Sequence, residues 1–171
     1  MELWDLYTKD REPTGKTHVR GDLLPAGMYH ILVHLWIRNS KGEYIISHRA
    51  EDRGSYPGYW ECPGGSVQAG EDSPHAALRE ALEEVGVQLD PAKGKIAFTR
   101  IRTDYGPRHL NEFTDIWLFE FDGEPSLAKA LTPEEVSEVR WMSRDEIEKL
   151  WAEEKFLPTA NYFFDERGKL L

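Results

Sequence analysis

The sequence predicts an α/β fold of the α+β kind: a mixed β-sheet with helices on both faces, preceded by an N-terminal β-hairpin. Three observations predict it. Short aliphatic and aromatic segments with period-two alternation recur as far as residue 142. Residues 73–86 instead carry helical periodicity between a start and a stop signal. Strands precede and follow that helix, which gathers both kinds of element around one sheet. The 171 residues fit one domain, with the hairpin at 1–27, a core at 28–155 and a helical tail at 156–171.

Taken in order, residues 2–7 and 15–20 read as two strands joined by a turn at Glu12-Pro13-Thr14-Gly15. Residues 28–38 alternate and are rich in aliphatics, the pattern of a central strand, and Asn39-Ser40-Lys41-Gly42 turns the chain into a second strand at 43–48. Beyond the helix, 95–102 and 111–121 read as strands around a polar Gly106-Pro107 loop. Residues 136–142 form a short strand, Ser143 caps a helix running to about 154, and the tail from Thr159 adds another helical segment.

The first helix carries the chemistry. Ser73 and Pro74 supply an N-cap and a first-turn proline, and Gly86 the stop. Leu78, Ala81, Leu82 and Val85 form an apolar stripe. Glu80, Glu83 and Glu84 gather at spacings of three and four, on the side that 100° per residue sets nearly opposite. Three carboxylates so placed repel each other, and nothing in the turn is positioned to neutralise all of them. A divalent cation would. Carboxylate oxygens suit magnesium, calcium and manganese, and magnesium takes substrate phosphates among its ligands.

A solvated face is the ordinary fate of such glutamates, but the loop before the helix points elsewhere. Trp60-Glu61-Cys62-Pro63-Gly64-Gly65 leads into Gly70-Glu71, and the whole string fits G-x5-E-x7-R-E-U-x-E-E-x-G-U, with U aliphatic: Gly65, Glu71, Arg79, Glu80, Ala81, Glu83, Glu84, Gly86 and Val87. This resembles the Nudix box, the signature of the Nudix hydrolase superfamily. The resemblance implies an α/β/α sandwich that cleaves a diphosphate linked to another moiety, using Mg2+ (or Mn2+) and an attacking water. It implies that Glu83 and Glu84 bind metal, that Glu80 binds metal or acts as base, and that the Gly64 carbonyl is a further ligand. Glu71 and Arg79 would brace the loop against the helix. A glutamate outside the box often joins such sites, and Glu112 is the candidate, with Asp115 competing for the role.

The N-terminal portion also resembles the isopentenyl-diphosphate isomerase branch of that superfamily, through Trp4-Asp5-Leu6, Pro13-Thr14-Gly15, His30, Trp36, Asn39, Lys41-Gly42, Arg49-Ala50 and Pro57-Gly58-Tyr59-Trp60. The isomerase cysteine falls on Gly64, and its histidine ligands on His30, Leu23 and Ser66. Its acidic residue falls on Glu112, and a glutamate ligand on Leu110. With the cysteine position filled by glycine and the box carboxylates complete, hydrolysis is the better expectation. An isomerase or a noncatalytic diphosphate-binding module is the alternative. By the same resemblance Arg49 and Arg53 would contact the diphosphate, a role that a two-pronged guanidinium suits. Arg20, Arg100 and Arg102 are further candidates.

Composition bounds the partners. The net charge of −10 argues against nucleic acid or an anionic membrane surface, and no stretch has the length of a membrane span. The acidic N-terminus lacks a secretion signature, and the single cysteine, Cys62, reads as a packing residue. A cytoplasmic enzyme acting on a small-molecule diphosphate is expected. The aromatic residues Tyr56, Tyr59, Trp60, Tyr105, Phe113 and Trp117 could stack on a base or fill the core. The apolar segment at 161–164 could pack on the domain or on a second copy, which leaves a homodimer open.

Overall fold

The computed structural model describes residues 1–171. The chain opens with an antiparallel hairpin, β1 (Leu3–Tyr7) and β2 (Pro13–Val19). Its turn comes earlier than the sequence suggests, at Thr8–Glu12, where Arg11 adopts φ 62°. Pro13 is the first residue of β2 rather than part of the turn, a place where its missing N–H leaves no ladder bond unmade.

The main sheet has seven strands: β3 (His30–Arg38), β4 (Tyr44–Arg49), β5 (Trp60–Glu61), β6 (Gly64–Ser66), β7 (Gly94–Tyr105), β8 (Leu110–Glu120) and β9 (Val136–Met142). β3 and β8 run parallel, from the pair His30–Glu112 to Arg38–Glu120, and β7 lies antiparallel beyond β8. β3 and β4 meet at Arg38–Tyr44 and then diverge. The segment 60–66 fills the opening: β5 pairs with β4, β6 pairs with β3, and the Leu35 N–H donates to the Pro63 carbonyl at 2.8 Å between them. β9 runs along the other edge of β4.

Strand alternation divides the core into two layers. Ile31, Val33, Leu35 and Ile37 of β3, with Phe113, Trp117 and Phe119 of β8, meet Ala76, Ala77, Ala81 and Val85 of the helix α1 (Ser73–Val85). On the opposite face Trp36, Ile46, Ile116 and Leu118 meet Ile147 of α2 (Arg144–Ala152) and Phe156, Tyr162 and Phe163 of the tail. Of the aromatic residues weighed for base stacking, Trp60, Phe113 and Trp117 belong to these layers. Ser143 and Glu146 close α2 with a reciprocal capping box. The tail forms two 3-10 segments, Pro158–Phe164 and Glu166–Leu170, rather than an α-helix. Ala160 leaves helical geometry, and Arg144 takes up the Phe163 and Gly168 carbonyls. No helix is long and apolar enough to cross a membrane.

Two expectations for α1 are corrected. Asp72 is the N-cap, its carboxylate accepting from the His75 N–H, because the Ser73 hydroxyl is taken by the Trp117 indole N–H at 3.0 Å. The carboxylates and the core stripe do not lie on opposite sides either. Glu80 and Glu84 sit in the middle of the buried face, 8% and 5% exposed, while Leu78 and Leu82 are only half-buried.

A two-pronged ion pair fastens the hairpin to the sheet. Arg11 donates to both oxygens of Asp115 at 2.7 and 2.5 Å, and the Thr99 hydroxyl adds a third bond. Burial opposes ionisation of Asp115, but its bonds to Arg11, Ser73 and Thr99 hold the carboxyl below its usual range. Trp4 then stacks on His30 with ring centres 4.0 Å apart. Removing Arg11 leaves a fully buried carboxylate without its cation. Arg11→Ala is therefore expected to lower the unfolding free energy by about 3 kcal/mol, read from urea denaturation at neutral pH.

Candidate active site

The site lies where β3 and β4 part. Gly64 runs so close to β3 that a Cβ there would sit 2.2 Å from the Val33 carbonyl oxygen, and one on Gly65 would sit 2.2 Å from Glu80 Oε1. Only glycine allows both approaches. The Gly64 N–H donates to Glu84 Oε2 at 2.9 Å. The break in the sheet and the buried face of α1 thus meet at two glycines.

Arg79 neutralises more of the glutamate cluster than the spacing implies. Its guanidinium binds both oxygens of Glu71 at 2.9 Å, Glu80 at 2.8 Å, Glu83 at 2.9 Å and the Ser66 carbonyl at 3.0 Å. Glu71 also accepts from the Gln68 N–H, so Glu71 and Arg79 tie the loop to the helix. Glu84 has no cation. Burial, then the charges of Glu80 and Glu61, drives its carboxyl well above the usual range, with the Gly64 N–H pulling the other way. Burial likewise raises Glu80 to about 7 against the opposing pull of Arg79.

No three acidic, imidazole or thiol groups converge tightly enough to form a ready-made metal cage. The fit to a hard divalent ion is instead one of donor type and charge. Carboxylate oxygens and a glycine carbonyl are magnesium ligands, and Glu84 and Glu80 are buried at a shared electrostatic deficit.

Two acidic groups near the site, Glu61 and Glu135, were not singled out from the sequence, and two that were, Glu112 and Asp115, stand elsewhere. Glu61 is buried beside Glu84 and paired with Arg49 at 2.7 Å. Glu135, ahead of β9, is paired with Arg53 at 2.5 Å, and its charge reaches Glu80 and Glu84. Glu112 is not brought to the carboxylate group: it pairs with Arg102 on the neighbouring strand and faces His30, whose Nε2 lies 3.8 Å from it. Asp115 points into the α1 layer, held by Arg11. His30 is buried with both ring nitrogens unpartnered, and burial lowers it to about 3. Leu23, at one of the isomerase histidine positions, is exposed. Cys62 is buried, and burial pushes its thiol well above the ordinary range.

Arg49 and Arg53 line a cleft with Glu61, His34, Gly64 and Gly65. Arg49 also donates to the Ser55 carbonyl through Nε at 3.1 Å and Nη2 at 2.8 Å, which leaves one Nη1–H without a protein partner. Arg20, Arg49, Arg53 and Ser55 continue from this cleft into an adjoining compartment of about 820 Å3, where Pro107 is the one apolar side chain. Arg100 and Arg102 are turned to other partners, Arg100 to Asn161 and the Thr159 carbonyl and Arg102 to Glu112.

A mixed-sheet sandwich with buried helix carboxylates set against a glycine-lined break is the arrangement that the resemblance to the Nudix hydrolases implies. The chain belongs to the Nudix hydrolase family. The family model of the NUDIX domain matches residues 28–162. An uncharacterised Nudix hydrolase of Listeria monocytogenes is 39% identical over 166 residues, covering 96% of this chain and 91% of the relative. A nucleoside triphosphatase of an Enterobacter species is 30% identical over 118 residues, covering 67% of this chain and 82% of its own. The crystal structure of a Deinococcus radiodurans protein superposes with a TM-score of 0.69 over 91% of both chains, at 24% identity.

The two glycines make separable demands. Gly64→Ala meets backbone and is expected to destabilise the fold by roughly 3 kcal/mol. Gly65→Ala meets the end of a side chain and displaces Glu80. Its melting temperature should stay within a few degrees of wild type while hydrolysis falls at least about tenfold, as thermal melts and phosphate-release assays would record.

Proposed function

We propose that the protein hydrolyses a diphosphate bond in a nucleoside-phosphate-type substrate, with Mg2+ as the ion and Mn2+ able to replace it. The observation that carries this reading is Glu84: a buried carboxylate, without a cation, bonded to the Gly64 N–H at the break in the sheet. Glu83, Glu84 and the Gly64 carbonyl would hold the ion, and Glu80, of the two roles open to it, takes that of base. A bound divalent cation supplies positive charge to the phosphate oxygens. Glu71 and Arg79 position the helix carboxylates, and Arg49 and Arg53 take phosphate oxygens. A water oxygen bonds to one phosphorus as the bridging P–O bond breaks. The water's proton passes to Glu80, and the leaving phosphate keeps the electron pair of the broken bond.

The nucleoside-phosphate class is supported by the adjoining compartment, where arginines suit phosphates, carboxylates and Ser55 suit sugar hydroxyls, and Pro107 is the one apolar side chain. The relationship to a nucleoside triphosphatase supports the same class.

Hydrolysis by wild type and Glu84→Gln, across nucleoside triphosphates, nucleoside diphosphate sugars and isopentenyl diphosphate, tests the proposal. Wild type should turn over a nucleoside phosphate only with Mg2+ or Mn2+, and Glu84→Gln should lose turnover. Mg2+ at a hundredfold excess over its Kd should stabilise wild type by roughly 2–3 kcal/mol and the variant much less. Metal-independent turnover, or full activity in Glu84→Gln, would defeat the reading.

A further inference from the structure

His34 enters the cleft from β3, directly opposite Gly64 in the β3–β6 ladder. Its ring is held from behind by a chain of hydrogen bonds that the hydrolytic carboxylates do not share. The Trp36 indole nitrogen lies 2.9 Å from the Tyr162 hydroxyl oxygen, and His34 Nδ1 lies 2.8 Å from the same oxygen. Indole N–H is a donor and nothing else, so the tyrosine oxygen accepts from Trp36. The tyrosine has one proton of its own to give. Of the two acceptors beside it, His34 Nδ1 and the Cys62 sulfur, the imidazole nitrogen is much the stronger, which favours donation from the tyrosine to His34.

The consequence reaches the other side of the ring. When Nδ1 accepts, neutral imidazole carries its proton on Nε2. Nε2 has no partner within the protein and, unlike both nitrogens of the buried His30, it is not sealed from solvent. It therefore opens onto the cleft beside Glu61, Gly64 and Gly65. A second proton on the ring would leave Nε2–H in place, so the donor survives either ionisation state. Burial and the guanidiniums of Arg100 and Arg102 favour the neutral ring.

We propose that His34 is a substrate-binding residue of this site: its Nε2–H donates a hydrogen bond to a non-bridging oxygen of the scissile diphosphate, in a tautomer set by Tyr162 and Trp36. The proposal rests on the diphosphate reading of the cleft. It assigns His34 a task that phosphate chemistry rewards, since a fixed N–H aimed at an oxyanion needs no reorganisation as charge builds there. It also gives the tail a role, because Tyr162 sits in a 3-10 segment that Arg100 anchors through Asn161 and Thr159.

The test has a spectroscopic and a kinetic arm. Long-range 15N–1H correlation on the full chain should show His34 protonated at Nε2 and not at Nδ1. Adding a nonhydrolysable α,β-imido nucleoside triphosphate with Mg2+ should move the Nε2–H resonance downfield. A His34 protonated at Nδ1, or an Nε2–H resonance indifferent to the analogue, would overturn the proposal even if no substrate were found to be hydrolysed. In the kinetic arm, His34→Ala should lose roughly 10- to 100-fold in kcat/KM, the worth of a hydrogen bond to a charged group. His34→Gln, which restores an N–H near the ε position, should recover most of it. Wild-type kcat/KM in His34→Ala would overturn the assignment while leaving the hydrolase reading intact. Failure of wild type to hydrolyse any diphosphate would instead sink that reading, with the spectroscopic arm still deciding His34.

Discussion

The rest of the structure depends on how closely Gly64 and Gly65 pass between β3 and α1. A methyl group on either would stand 2.2 Å from an oxygen, on one side the Val33 carbonyl and on the other Glu80. That approach lets β6 pair with β3 while β4 peels away, and it puts a backbone N–H against Glu84. With larger residues there the strands could not part around the segment, and α1 would have no reason to bury glutamates. The geometry of the proposed site is thus a by-product of backbone sterics before it is a matter of charge.

Charge then decides what the site will accept. Glu61, Glu80 and Glu84 are buried together, and an uncompensated buried carboxylate is costly. Arg79 and Arg49 answer part of that cost, one holding Glu80 and the other Glu61. Glu84 remains. The residual negative potential is local and lies at a break in the sheet, so it favours a small hard cation over a long basic side chain. Arg49 and Arg53 line the same cleft, each paired with one carboxylate, so guanidiniums stand close beside the acidic group, an arrangement suited to a ligand that brings phosphate oxygens together with a cation.

Much of this was legible in the sequence. Alternation at 28–38 and 111–121 marked two strands, though not that they pair in parallel, and the spacing from Gly65 to Val87 marked the helix and its glutamates. What periodicity could not show is which way a glutamate turns. Of the expected stripe Ala81 and Val85 are buried, but Leu78 and Leu82 give way to Ala76 and Ala77, because small residues let the helix lie close enough for Glu80 and Glu84 to reach the glycines. Asp72 displaced Ser73 as the cap since Trp117, 44 residues away, claims the hydroxyl. His34 had no local signal at all: its partner Tyr162 lies 128 residues further on. Glu61 sat in plain view within the loop ahead of the box, and its pairing with Arg49 needed the β4–β5 register to reveal it.

The central claim is that the glycine break and the buried face of α1 together form the ion site. Paramagnetic broadening of backbone amide signals by substoichiometric Mn2+ tests it directly. The account predicts broadening centred on Gly64, Gly65, Glu80, Glu83 and Glu84, reversed by excess Mg2+. Broadening centred instead on His30 and Glu112, or spread over the exposed acidic surface without a focus, would contradict it.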